Sequence, residues 1–361
     1  MLCLLANADR VYRYYKSIVV LFKQNRKVLS TSVLNGGYRE DLQAVFNHDC
    51  NPGAGMACTL RAATYEAHLR LVAEDLGLEP EAVTGMATAA SMENVSVQEA
   101  KYQELTVTAI VTGGIEVNGG RVGDPATYYD PIDRHKPYQA GTINIILHLN
   151  GNMAPGVMAR ALVICTEAKT AALQELMAGS NYSTGLATGS GTDSTILIAD
   201  PQAAIYFEDA GKHSKLGELI GVTVKQAVKE ALYKQTNLSP SFQHSILQRL
   251  KRYKVTEESL WNLYRQQNSS SLKAEFIDVL YNLEREEKIL VYTSLYVHIL
   301  DQQNWGLLAD TASLNSKQDI LTLAARNYEV TAPILSDTEQ MAALTAWSEL
   351  IVLLCAKKLR I

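Results

Sequence analysis

The chain has no excess of basic charge. Its 33 Lys and Arg stand against 38 Asp and Glu, for a net charge of −5 and a pI near 5.9. A general nucleic-acid binder needs a basic face, so no nucleic-acid partner is expected. The nearest thing to a basic block, residues 248–254, reads as a solvated helix face. Cysteine is scarce and irregularly placed: Cys3, Cys50, Cys58, Cys165 and Cys355 make neither a disulfide framework nor a CxxC metal pair. A reducing cytoplasm fits that usage. No unbroken apolar run opens the chain either. Residues 1–6 and 18–22 are split by Asp9, Arg10, Arg13 and Lys16, which is too broken for a membrane span and lacks the order of a signal peptide. A soluble, cytoplasmic protein is expected. The sequence also has no GK[ST] phosphate loop, no strand–GxGxxG–helix unit and no fixed repeat period. Nucleotide-loop and solenoid architectures are therefore disfavoured.

What is present divides into two textures. With 47% hydrophobic and 20% charged residues, the chain can bury a substantial core. Up to about residue 235, β-branched runs at 17–23, 28–33, 83–89, 105–112, 142–149, 195–199 and 204–207 read as strands. Stretches 59–77, 156–177 and 215–233 carry apolar residues at helical spacing. Beyond Ser239-Pro240, glycine nearly disappears and Leu, Glu, Gln, Lys and Tyr dominate, which predicts a helical bundle. The expected organisation is an α+β domain over 1–238, with a mixed or antiparallel sheet and packed helices, then an all-helical domain over 239–361. Clean strand–helix alternation is missing, which disfavours a doubly wound sheet. The charged helical tail is a candidate surface for homo-oligomer assembly.

The chemistry belongs to the first half. In residues 185–200, GLATGSGTDSTILIAD, small residues crowd around Asp193 just ahead of an apolar run. Thr188, Ser190, Thr192 and Ser194 supply hydroxyls, and the glycines expose backbone N–H donors suited to an oxyanion. The same pattern also suits a tight strand-initiating turn. On a helical pattern, Thr166 and Lys169 share a face, with Glu167 about 100° away. A lysine among Val163, Ile164 and Ala168 can act as a base, or it can sit on an amphipathic surface with Glu167. Among the histidines, His213 precedes a helix that Ser214 can cap, while His135 lies in a polar loop. His48, Asp49, Cys50 and Cys58 have no standard metal spacing, so no metal is expected.

Seven motifs in order carry a resemblance. They are LSTSVLNGG (29–37), TGMATAA (84–90), TVTAIVTGG (106–114), GTINII (141–146), TEAK (166–169), ATGSGTDS (187–194) and HSKLGE (213–218). Over roughly residues 15–235 this series resembles the adenosylcobinamide amidohydrolase family of corrinoid salvage. The resemblance implies hydrolysis of the amide joining the corrin's propionyl arm to aminopropanol, with the corrinoid as substrate and no separate cofactor. It points to Asp193, Glu167, Lys169, Thr192 and His213 as candidate catalytic groups. The substrate wall it implies runs through Asn35, Gly36, Gly37, Thr88, Thr112 and Gly113, then Asn118, Thr142, Asn144, Thr188, Gly189 and Gly191. The family usually has Ala where Gly113 stands. A corrin is broad, flat and fringed with amides. Small residues let the backbone approach it closely and present many donors and acceptors. A non-catalytic corrinoid carrier is the alternative, as is an unrelated enzyme with a Ser or Thr nucleophile. A carrier would not need the acid/base groups.

Overall fold

A computed structural model describes residues 1–53, 58–126, 129, 141–268, 272–335 and 337–359. His135 lies outside the described residues. The chain forms two compact units, Met1–Ser239 and Pro240–Ile361.

The first unit opens with strands β1 (Cys3–Leu4), β2 (Arg10–Tyr14), β3 (Ser17–Leu21), β4 (Lys27–Ser30), β5 (Gly37–Arg39) and β6 (Ala44–Asp49). Helix α1 (Tyr65–Asp75) follows, then β7 (Val83–Thr88), β8 (Ser96–Tyr102), β9 (Leu105–Gly114), β10 (Gly119–Gly120), β11 (Thr142–Leu149) and β12 (Asn152–Met153). The unit closes with α2 (Pro155–Glu175), β13 (Gly189–Ser190), β14 (Ser194–Ala199), β15 (Tyr206–Phe207) and α3 (Lys215–Thr236). Two larger sheets result, in the orders β1-β2-β3-β6-β7 and β5-β4-β14-β11-β9-β8. Each is antiparallel except for one parallel pair, β6 with β7 and β11 with β14. The expected α+β class with mixed sheets is what the structure shows.

Period-two alternation explains why the sheets stack. On β3, Ile18 and Val20 enter a core shared with Val28, Ile110, Ile146, Ile196 and Ile198 of the other sheet. Val19, between them, faces the opposite way and packs with Leu69, Val72 and Leu76 beside α1. Both faces of that strand are buried, so it reads as a continuous apolar run. The outer face of the six-stranded sheet is covered by α2 and α3, with α3 lying on β8 and β9. The layers are thus helix, sheet, sheet, helix pair. Each buried Val, Leu or Ile contributes about 1.5–3 kcal/mol, which the core sums over many residues.

Polar groups interrupt the inter-sheet core at two points along β11. Asn144 Nδ2 donates to Asn47 Oδ1 at 2.8 Å and to Ala87 O at 3.1 Å, and Asn47 Nδ2 donates to Thr112 Oγ1 at 2.8 Å. Four residues on, about 13 Å by strand rise, His148 Nε2 lies 3.3 Å from Asp9 Oδ2. Asp9 is gripped by Arg26 through Nε at 2.8 Å and Nη2 at 2.9 Å, and Arg26 Nη1 reaches Asp200 at 3.2 Å. Asp9, Arg26 and His148 are buried.

The second unit is helical: α4 (Ile246–Leu250), α5 (Glu257–Gln267), α6 (Lys273–Leu283), α7 (Glu287–Asn304), α8 (Asp310–Asn327) and α9 (Gln340–Leu359). Thr256 and Ser259 form a reciprocal capping box that starts α5. Tyr296 stacks on Trp347 with ring centroids 4.4 Å apart, and its hydroxyl donates to Ala343 O at 2.7 Å. A buried ion pair, Arg252 with Asp301, ties α7 to the chain that follows α4. Among the described residues, no helix is long and apolar enough to cross a membrane.

Candidate active site

Two elements converge on one ion pair. Helix α2 starts with Pro155 at its first turn, where the missing N–H costs nothing. It runs far enough to place Lys169 beside the turn before β14. There Lys169 Nζ lies 2.5 Å from Asp193 Oδ2, and both side chains are 12% exposed.

Asp193 is fully engaged. Oδ1 accepts from Ile143 N at 2.8 Å and from Ser190 Oγ at 2.7 Å. Oδ2 accepts from Ser190 N at 2.9 Å as well as from Lys169. Four donors occupy the roughly four lone-pair positions a carboxylate offers. The group is therefore a fixed acceptor, with no lone pair left for a further hydrogen bond. Lys169, in contrast, spends one of its three N–H donors on Asp193.

The small residues around this pair have a steric reason. A Cβ on Gly189 would stand 2.3 Å from Asp193 Oδ2 and 2.9 Å from Lys169 Nζ. Any side chain there would wedge the pair apart. On the rim, the exposed Thr192 donates its hydroxyl to Gly141 O at 2.9 Å. Thr142 Oγ1 donates to Thr192 O at 2.7 Å, and Asn118 Nδ2 to Gly141 O at 3.1 Å. Tyr182 donates its hydroxyl to Asn118 Oδ1 at 3.0 Å. Strands β10 and β13 lie against each other, Gly119 opposite Ser190 and Gly120 opposite Gly189. A Cβ on Gly191 would come within 3.2 Å of Asn118 Oδ1.

The structure therefore gathers Lys169, Asp193, Thr192, Gly189, Gly191, Asn118 and Thr142 into one network. Asn144 and Thr112 lie just beneath it, where the strand register sets Asn144 opposite both Ser194 and Thr112. Thr188 flanks it, its Oγ1 accepting from Val122 N at 2.9 Å. Thr88 sits at the end of β7, its Oγ1 accepting from Ala90 N at 3.0 Å.

Other residues are placed elsewhere. Glu167 pairs with Lys212 at 2.7 Å on the surface rather than with Asp193, and His213 beside Lys212 is exposed. Ser214 caps α3 as its position suggests, accepting from Gly217 N at 3.0 Å. Asn35, at φ 47°, donates through Nδ2 to Pro80 O and Val83 O, both at 2.7 Å. Gly36 is pressed against the Ser32 carbonyl and Gly37 adopts φ +80°, so residues 35–37 build a turn. A Cβ on Gly113 would meet Leu232 Cδ2 of α3 at 3.4 Å, an ordinary contact that leaves room for the family's Ala. Asn47 and Tyr182 are members of the network that the motifs alone do not single out, and Ser190 stands out from the other hydroxyls only here, by its two bonds to Asp193. A polar Asn ending the apolar start of β6 is the one sequence signal for Asn47.

A separate concavity of about 400 Å³ lies over α1, lined by Tyr15, Lys16, His48, Val72, Asp75 and Leu76. Burial, then the charges of His68, Lys16 and Arg61, push His48 down to about 4, and its Nδ1 lies 2.8 Å from Ser17 Oγ. Among the described residues, no three His, Cys, Asp or Glu side chains gather as metal ligands.

The first unit is thus a two-sheet α+β domain that sets an ion-paired lysine among Gly, Ser, Thr and Asn. The chain belongs to the adenosylcobinamide amidohydrolase (CbiZ) family, whose sequence profile matches residues 4–240. Membership is what the seven motifs led one to expect. A protein of Methanocaldococcus jannaschii described as uncharacterized is 34% identical over 242 residues, covering 64% of this chain and 91% of that protein. Among solved structures, the PH0078 protein from Pyrococcus horikoshii OT3 matches 60% of this chain and 76% of its own. At 12% identity and a TM-score of 0.30, that likeness carries no argument.

Proposed function

We propose that the first unit hydrolyses the amide linking the corrin side chain of adenosylcobinamide to aminopropanol or its phosphate, yielding adenosylcobyric acid for corrinoid salvage. Family membership supports the reaction class. The observation that carries the reading is the Lys169–Asp193 pair, two polar groups held at 2.5 Å and only partly open to solvent.

In this reading Asp193 is an orienter, because its oxygens are already saturated. It holds the Lys169 ammonium in one place. The remaining N–H donors of that ammonium meet the amide oxygen as it gains negative charge, and one proton passes to the departing amine nitrogen. Water supplies the new C–O bond, the C–N bond breaks, and the proton shed by that water returns to Lys169, leaving an acid and an amine as products. Thr192, with its exposed hydroxyl, and the N–H groups of the glycine turn line the approach of the substrate arm. The corrinoid is substrate, not resident cofactor. Glu167 and His213, held at the surface, receive no step.

The test is incubation of the full-length protein with adenosylcobinamide, followed by mass spectrometry for adenosylcobyric acid and free aminopropanol. Product formation that disappears in Lys169→Met establishes the reading. Tight binding with no product over many hours would establish a carrier instead.

A further inference from the structure

Five cysteines are spread over the chain, yet two of them meet. Cys50, one residue past β6, has its Sγ 2.6 Å from Sγ of Cys58, and both residues are partly exposed. Cys50 is also anchored to the end of β7, its N donating to Thr88 O at 2.8 Å and its Sγ lying 3.2 Å from the same oxygen. The next carbonyl back, Ala87 O, accepts from Asn144 beneath the Lys169–Asp193 network. We propose that Cys50 and Cys58 are a redox modification site that forms a reversible intramolecular disulfide by exchange with a small-molecule disulfide, pinning the chain leaving β6 against the end of β7.

The electrostatics of the pair assign the roles. Cys58 is lowered from its ordinary value, first by the S–H donated from Cys50 and also by Lys16, against the opposing effect of burial. Cys50 is raised, because it is the donor of that same bond and is partly buried. Cys58 is therefore the attacking thiolate and Cys50 the resolving thiol. The thiolate of Cys58 attacks one sulfur of the small disulfide, forming a mixed disulfide and expelling one thiolate. Cys50 then loses its proton to that leaving thiolate and attacks Cys58 Sγ, expelling the second small thiolate, which takes a proton from solvent. The two cysteines lose two electrons and two protons, and the small disulfide gains them as two thiols. The other cysteines have no such arrangement. Cys165 and Cys355 are buried and pushed up to about 12 by burial, and burial raises Cys3 as well.

Both cysteines fall in one tryptic peptide, residues 40–61, bounded by Arg39 and Arg61. The full-length protein is incubated with oxidised glutathione, quenched with an alkylating reagent, digested and weighed. The expected result is a 40–61 peptide with neither cysteine alkylated and lighter than the reduced peptide by about two hydrogens, reverting on treatment with dithiothreitol. Cys50→Ser is expected to hold a stable glutathione adduct on Cys58, whereas Cys58→Ser leaves Cys50 unmodified. The bridged protein should melt higher by roughly 5 °C, since the bridge restricts the unfolded chain. A 40–61 peptide that stays fully alkylated while Cys3 takes up glutathione overturns the proposal. Identical melting temperatures for the bridged and reduced protein overturn the pinning.

Discussion

Two ion pairs sit near opposite ends of the same strand and do different things. Near the end of β11, Arg26 grips Asp9 with two N–H groups, reaches Asp200, and is 1% exposed. Near its start, Lys169 meets Asp193 through one contact at 12% exposure. A planar guanidinium that spends its donors on two carboxylates and two backbone carbonyls is a lock, with nothing left to offer a ligand. An ammonium is a point charge with donors to spare, and the four bonds on Asp193 fix where that charge stands. Both anions are saturated. The difference lies in the cation and in the glycine turn that leaves it reachable.

The largest effect expected from breaking this contrast is on stability. Arg26→Met strands Asp9 as an unpaired buried charge and should cost about 3–5 kcal/mol, read by urea unfolding of the full-length protein. A protein that unfolds at the same urea concentration would show the lock reading to be wrong. Lys169→Met is the mirror case. Turnover of adenosylcobinamide should fall about a thousandfold while the unfolding midpoint moves little. A collapse in stability with normal specific activity in the folded fraction would make that pair structural too.

A smaller loss is expected for Asp193→Asn, about a hundredfold in turnover with substrate affinity within a few fold. The amide keeps one acceptor oxygen but cannot hold both Lys169 and Ser190 N. Single-turnover rate and binding measured on one preparation decide this, and near-normal turnover would remove Asp193 from the mechanism.

The pH dependence sharpens the contrast further. Burial pushes Asp9 upward, but the bonds from His148, Arg26 and Lys23 N outweigh it, so its carboxyl sits below the ordinary 3.8. A carboxyl lowered on folding adds stability that is complete above its unfolded value and is lost as pH falls below it. Asp9→Asn should therefore unfold less steeply than wild type below about pH 4; parallel acid-unfolding curves would contradict this. The smallest expected change is from ending the chain at Ser239, between the two compact units. Turnover per folded molecule should stay within about twofold, and an insoluble or inactive fragment would show that the helical unit completes the first.

Much of this architecture was written in local patterns. The runs that became β3, β7, β9, β11 and β14 are rich in β-branched residues, and the three helices of the first unit showed their apolar spacing plainly. β6 was missed because only Ala44, Val45 and Phe46 read as strand before Asn47-His48-Asp49, which belong to it through pairing with β3 and β7. β8, half exposed at a sheet edge, carries a Gln, a Glu and a Lys that hide its alternation. The Asp193 turn was visible as composition, but its partner was ambiguous. Glu167 and Lys169 lie two apart on α2, and only packing against the turn shows that Lys169 faces Asp193 while Glu167 faces Lys212. Ser190 was one hydroxyl among several until its oxygen and its N–H both fell on the same carboxylate.

The alternation along β11 has a consequence for assembly of the chain. Asn144, Ile146 and His148 share one face of that strand, between the sheets, and Ile143, Ile145 and Leu147 share the other. A slip of one residue against β9 or β14 would turn both polar anchors out toward the helices at once and bury an isoleucine and a leucine where Asn47 and Asp9 await partners. The Asn144 and His148 contacts would then be lost together. A misaligned folding intermediate would be penalised twice by a single error, so the strand proofreads its own placement before the site exists.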